Sequence, residues 1–140
     1  MTNSVPKTQL TREMMEQAIA LSPYTKWVGT KLVDFDPGHV KISITLRKEM
    51  TQHHGFAHGA IVGYMADTVC SWAAASVVGD VVTSEYKLNL LAPAIGEELT
   101  AVGEVIKAGG RQVVTRADVF AVKDGTEKIV ATALATIARV

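Results

Sequence analysis

Residues 59–78 read GAIVGYMADTVCSWAAASVV, a run of twenty with a single charge, Asp67. A run this long and this apolar is a helix buried nearly all round. A membrane span is the competing reading. However, the run is rich in Gly, Ala and Ser, and no Lys or Arg flanks it. An Asp at mid-membrane would also cost about 2.5–3.5 kcal/mol. The expectation is a core helix, with no membrane as partner.

On either side of this helix the pattern changes period. Upstream, Val40, Ile42, Ile44 and Leu46 alternate with Lys41, Ser43, Thr45 and Arg47, a strand with one wet face. Residues 27–35 are expected to pair with it across the turn Asp36-Pro37-Gly38. Downstream, Tyr86, Leu88 and Leu90 alternate with Lys87 and Asn89 until Pro93. Strands at 98–107, 111–122 and 127–139 follow, joined by Gly109-Gly110 and Asp124-Gly125, both hairpin sequences. Near the start, Thr11 is placed to cap a short helix carrying Met14, Met15, Ala18, Ile19 and Leu21, with Pro23 marking its end. Residues 1–10 are polar and expected to be flexible.

Strands joined by such short turns run antiparallel, and an antiparallel sheet has one face to bury. Only the 59–78 helix is apolar enough to fill that face. The fold class is therefore α+β: an antiparallel sheet of five to six strands wrapped around one long central helix. One curved sheet cannot cover a helix that is apolar all round, so its remaining side is expected to meet a second copy of the chain. The 140 residues suit one domain, 1–140.

Composition excludes several classes of function. Fourteen Lys and Arg balance fourteen Asp and Glu, which leaves no basic face for nucleic acid. The lone cysteine, Cys70, permits no internal disulfide and lies in an apolar run, where a small buried hydrophobe is expected. The N-terminus MTNSVPKTQL lacks the basic start and apolar core of a secretory signal. A cytoplasmic protein is expected. His53, His54 and His58 cluster, but they precede the helix and no H-E-x-x-H follows, so no metal is expected. Neither G-x-S-x-G nor G-x-G-x-x-G is present.

The helix itself carries the chemistry. At about 100° per residue, Ala60, Gly63, Tyr64, Asp67, Ser71 and Ala74 share one face, small except for Tyr64. A carboxylate on a buried, otherwise uncharged helix costs several kcal/mol unless it is partnered, which makes Asp67 a site candidate. The segment Gln52-His53-His54-Gly55-Phe56-Ala57-His58-Gly59-Ala60 leads into the helix start. The first N–H groups of a helix lack partners within it and favour negative charge. They are placed to hold the oxyanion formed when a carbonyl is attacked. Gly59 and Asp67 are eight residues apart, about 12 Å along a helix at about 1.5 Å per residue. One helix cannot present both to the same carbon. Two antiparallel copies about a two-fold axis can, twice per dimer.

The spacing Gln52-x-x-Gly55-x-x-His58-Gly59-Ala60-(x)6-Asp67-Thr68 resembles the signature of the hotdog-fold acyl-CoA thioesterases of the phenylacetate-degradation (PaaI-like) type. The run Thr83-Ser84-Glu85-Tyr86-Lys87-Leu88-Asn89-Leu90-Leu91-Ala92-Pro93-Ala94 resembles the strand that follows in that family. The likeness extends over about residues 25–138. It implies a hotdog fold and hydrolysis of an acyl-CoA thioester by a homodimer, or a dimer of dimers, with no cofactor beyond the coenzyme A of the substrate. By position it implies Asp67 as general base or nucleophile and the Gly59 N–H as the group that polarises the carbonyl. Gln52 falls where the family has Asn, which holds water or the thioester. Thr83 falls where a Ser or Thr positions water, and His58 shapes the loop. Gly55, Phe56, Ala60 and Tyr64 are further candidates for contact with substrate, and Lys107 and Arg111 for the coenzyme A phosphates. Gln52 is one methylene longer than Asn, and Ala60 stands where a second Gly is common; both bear on rate and substrate choice.

Two alternatives stand beside hydrolysis. A hotdog hydratase or dehydratase would pair a catalytic His with the acid, but the chain lacks a His-Phe-Pro-Gly stretch. A non-catalytic acyl-CoA-binding protein would need an output domain and would not need Asp67. The acyl group is not readable, although Phe56, Tyr64 and Trp72 suit aryl or medium-chain groups.

Overall fold

The structure is a computed structural model that describes residues 10–140; the expectation of flexibility for the preceding residues 1–9 lies outside it. Helix α1 (Arg12–Leu21) begins as expected. The Thr11 side chain accepts from the Met14 N–H, and Glu13 lies in the first turn. Its apolar stripe is narrower than the sequence suggested: Met15 is buried and Ile19 partly so, while Met14 and Leu21 face solvent.

Pro23 does not simply end α1. It opens a second helix, α2 (Pro23–Val28), capped by Ser22 and closed by Gly29 at φ 84°. Proline suits the first position of a helix, where the missing N–H would have no partner. Residues 27 and 28 therefore belong to α2, and the strand expected from residue 27 starts later, as β1 (Lys31–Asp36). Strand β2 (His39–Thr45) pairs with it across the turn at Gly38. Val40, Ile42 and Ile44 all point into the core.

Next come the central helix α3 (Gly59–Val78) and strands β3 (Val81–Leu90), β4 (Glu98–Ala108), β5 (Gln112–Lys123) and β6 (Thr126–Arg139). The β5–β6 hairpin turns through Asp124 and Gly125 at φ 51° and 79°. Positive φ at both central residues gives the twist that suits a two-residue hairpin.

All pairings are antiparallel, and the order across the sheet is β1-β2-β4-β5-β6-β3. β3 is thus separated from β4 and forms an edge against β6. The connection after β3 explains this. Leu91 N–H donates to the Val130 carbonyl of β6, and Glu97 N–H donates to Val122 of β5. The segment steps across two strand ends before it enters β4.

The sheet wraps α3 and buries ten of its residues, from Ile61 to Ser76. The helix crosses β4 so closely that a Cβ at Gly103 would collide with the Val69 carbonyl. This six-stranded sheet curled around one helix is the hotdog arrangement. One stripe of α3 is left uncovered by the described residues: Ala60, Tyr64, Asp67, Thr68, Ser71, Trp72 and Ala75 are not buried. Gly63 and Ala74, expected on that stripe, are buried instead. At Gly63 the cover is supplied by Tyr86 and Leu88 of β3.

Candidate functional site

The loop before α3 is a closed turn rather than a loose lead-in. Gln52 N–H donates to Phe56 O (2.9 Å), Gly55 N–H to Gln52 O (2.8 Å) and His58 N–H to Met50 O (2.9 Å). Gly55 adopts φ 91°, a left-handed conformation that favours glycine. Gln52 turns its side-chain carbonyl back to accept from the His54 N–H, so its amide N–H2 is the end left to reach outward. His53, His54 and Phe56 stack along the rim. Ala57 N–H donates to Ala94 O (3.0 Å), which ties this turn to the segment after β3.

The turn delivers the start of α3. His58 caps it: Nδ1 accepts from the Ala60 N–H (2.9 Å), and its carbonyl accepts from Ile61 (3.0 Å) and Val62 (3.3 Å). Of these first-turn donors only the Gly59 N–H has no partner among the described residues. Two hollows flank Gly59. One, of about 380 Å³, is lined by Gln52, Phe56, Gly59, Leu90 and Pro93 among others. The other, of about 270 Å³, is lined by His58, Ala60, Tyr24, Trp27 and Met50 among others.

Two turns along the helix, Asp67 meets β3. The Thr83 hydroxyl donates to Asp67 Oδ1 at 2.6 Å. The other Asp67 oxygen is left for a further partner. The register of β3 against β6 shifts between Thr83 and Glu85, a bulge. Bulges re-aim the side chains that follow, and here Tyr86, like Thr83, faces α3. Burial, and then the Asp67 charge, hold the Tyr86 hydroxyl above its ordinary pKa of 10.0. The sequence reading placed Tyr86 on a strand but not at the site. The available signal was Gly63, whose missing Cβ makes room for the Tyr86 hydroxyl.

Tyr64 is held by the N-terminal segment. Its hydroxyl shares a hydrogen bond with Thr30 Oγ1 (2.7 Å), and its ring lies 5.3 Å from that of Tyr24. Lys107 and Arg111 come together at the β4–β5 hairpin around a hollow of about 510 Å³. Cys70 is fully buried, and burial first, with the Asp67 charge adding, pushes its thiol up to about 11. A thiol held neutral is no nucleophile.

The candidate residues thus form three groups within one chain: Gly59 with Gln52 and Phe56, Asp67 with Thr83, and Lys107 with Arg111. The chain does not bring Gly59 and Asp67 together, because both lie on α3 at the spacing a straight helix dictates.

A family model described as the thioesterase superfamily matches residues 54–128, more than half of the 140 residues. The chain belongs to the thioesterase superfamily. The matched stretch contains Gly59, Asp67 and Thr83 and begins after Gln52. A thioesterase family protein from Silicibacter pomeroyi is similar in structure, with a TM-score of 0.85 and 34% identity over 88% of this chain and 93% of that one. The E. coli PaaI protein, from the phenylacetic acid degradation operon, superposes with a TM-score of 0.82 at 23% identity, covering 90% of each chain; at that identity the likeness concerns the fold. A curated protein of Saccharolobus solfataricus named as an esterase is 29% identical over 112 residues, 79% of this chain and 73% of that protein. As a member of the thioesterase superfamily the chain is a hydrolase.

Proposed function

We propose that the chain hydrolyses acyl-CoA thioesters as a homodimer of the PaaI-like type, with each site shared between two chains. The observation that carries this reading is a pair of unfinished groups on α3. The Gly59 N–H is left free while the donors after it are capped. Asp67, fixed on one oxygen by Thr83, lies on the stripe that the sheet leaves uncovered. An antiparallel second copy on that stripe sets Gly59 of one chain against Asp67 of the other. The β3 edge supports association. It is ten residues long, unpaired on its outer side among the described residues, and exposes Val82, Tyr86 and Leu90. A long unpaired edge is a template for pairing with another chain.

In this reading the thioester carbonyl oxygen accepts from the Gly59 N–H at the positive end of α3, where developing negative charge is stabilised. Asp67 of the partner takes a proton from water or attacks the carbonyl carbon itself. The C–S bond breaks as the thiolate leaves; on the first route it takes the proton held by Asp67, and on the second a water hydrolyses the resulting anhydride, freeing the acid and Asp67 and supplying the proton. Lys107 and Arg111 are suited to the phosphates of coenzyme A. His58 spends Nδ1 on the helix cap.

The test is thiol release from a panel of benzoyl-, phenylacetyl- and hexanoyl-CoA. Asp67→Asn is expected to lower kcat by about 10²- to 10⁴-fold while the protein stays folded. Wild-type turnover in the folded variant, or no hydrolysis of any panel member by the wild type, contradicts the reading. In single turnover in heavy-oxygen water, label found in Asp67 identifies direct attack, because the general-base route sends the water oxygen only into the acid product.

A further inference from the structure

The bulge in β3 has a chemical consequence. In an unbroken strand, residues three apart point to opposite faces. Thr83 and Tyr86 are three apart, yet both face α3, because the register against β6 skips a residue between Thr83 and Glu85. Thr83 reaches Asp67 at 2.6 Å. The Tyr86 hydroxyl reaches Gly63, one helical turn before Asp67, and lies 3.1 Å from where a Cβ at Gly63 would stand. The helix has a glycine where that hydroxyl arrives. Among the described residues the hydroxyl has no hydrogen-bond partner, unlike those of Tyr64 and Thr83.

We propose that Tyr86 is a positioning residue that holds the reacting water against Asp67. The proposal rests on the acyl-CoA hydrolase reading above. Thr83 occupies one carboxylate oxygen from its side, and Tyr86 donates its O–H to the water oxygen from the Gly63 side. The water gives one proton to the carboxylate of Asp67, and its oxygen bonds to the thioester carbonyl carbon. The thiolate leaves with the electron pair of the C–S bond and is protonated. Tyr86 keeps its own proton throughout. Burial and the neighbouring carboxylate both favour that neutral form.

The experiment compares Tyr86→Phe, Gly63→Ala and the double variant with the wild type, using phenylacetyl-CoA and hexanoyl-CoA and following thiol release. Loss of one water-directed hydrogen bond is expected to lower kcat about tenfold, with KM within about twofold. Gly63→Ala pushes the hydroxyl aside and is expected to lower kcat comparably in the wild-type background, but to add nothing in the Tyr86→Phe background. Groups in contact couple whether they pack or position. The separating readout is therefore the loss of kcat at unchanged KM and unchanged thermal midpoint in Tyr86→Phe, where a merely packed residue would move the midpoint and leave kcat alone. If Tyr86→Phe and Gly63→Ala both keep wild-type kcat while Asp67→Asn loses it, the Tyr86 proposal is wrong and the Asp67 reading stands. If Asp67→Asn keeps it too, the underlying reading fails.

Discussion

Asp67 and Cys70 lie one turn apart on α3 and meet opposite surroundings. Asp67 faces the uncovered stripe and a hydroxyl donor, whereas Cys70 is enclosed. Because the folded state raises the Cys70 thiol from 9.0 to about 11, the neutral form is the one the fold favours. Its stabilising contribution is complete below pH 9 and is lost as pH rises toward 11, by about 2–3 kcal/mol at most. Thermal melts of the wild type and Cys70→Ala between pH 8 and 11 check this. The wild type is expected to lose stability more steeply, and parallel slopes would contradict it. At this scale spacing and charge singled out Asp67 and the helix start at Gly59, and the family resemblance singled out Thr83, whose hydroxyl lies 2.6 Å from Asp67. The sequence hid Tyr86, because a period-two reading has no sign for a bulge between Thr83 and Glu85. Nor does it carry any sign that the Tyr64 hydroxyl bonds Thr30, a contact across thirty-four residues of chain.

The helix and the strands were legible as elements because their periods differ so sharply. Twenty apolar residues admit one reading, and Val40, Ile42 and Ile44 admit another. The connections were not. Pro23 reads equally well as a stop or a start, and only the Ser22 cap together with the left-handed Gly29 makes it a start. The contact between α3 and β4 is set by backbone rather than by side chains. A methyl at Gly103 meets the Val69 carbonyl, which no flexible group can yield to. Gly103→Ala is therefore expected to destabilise the fold by about 1–3 kcal/mol or more. Urea unfolding of the folded variant measures this, and an unchanged midpoint would show that the helix can lift from the sheet without cost.

For the whole molecule, the sequence established that one sheet cannot cover α3, but the order of strands depended on the path of residues 91–97, whose hydrogen bonds to Val130 and Val122 have no sequence signature. That path leaves β3 at the edge, next to the uncovered stripe, so the open edge and the incomplete site lie on the same side of the chain. The central claim is that two chains complete each site, and mixing two inactive variants tests it. Gly59→Pro removes the free N–H at a helix position that tolerates proline, after a residue already at ψ 142°, and Asp67→Asn removes the acid. Each variant alone is expected to be inactive. Unfolded together and refolded, random pairing makes half the dimers mixed, each with one intact site, so about a quarter of wild-type activity should return. Mixed dimers, verified by mass spectrometry, that remain inactive would contradict the shared site.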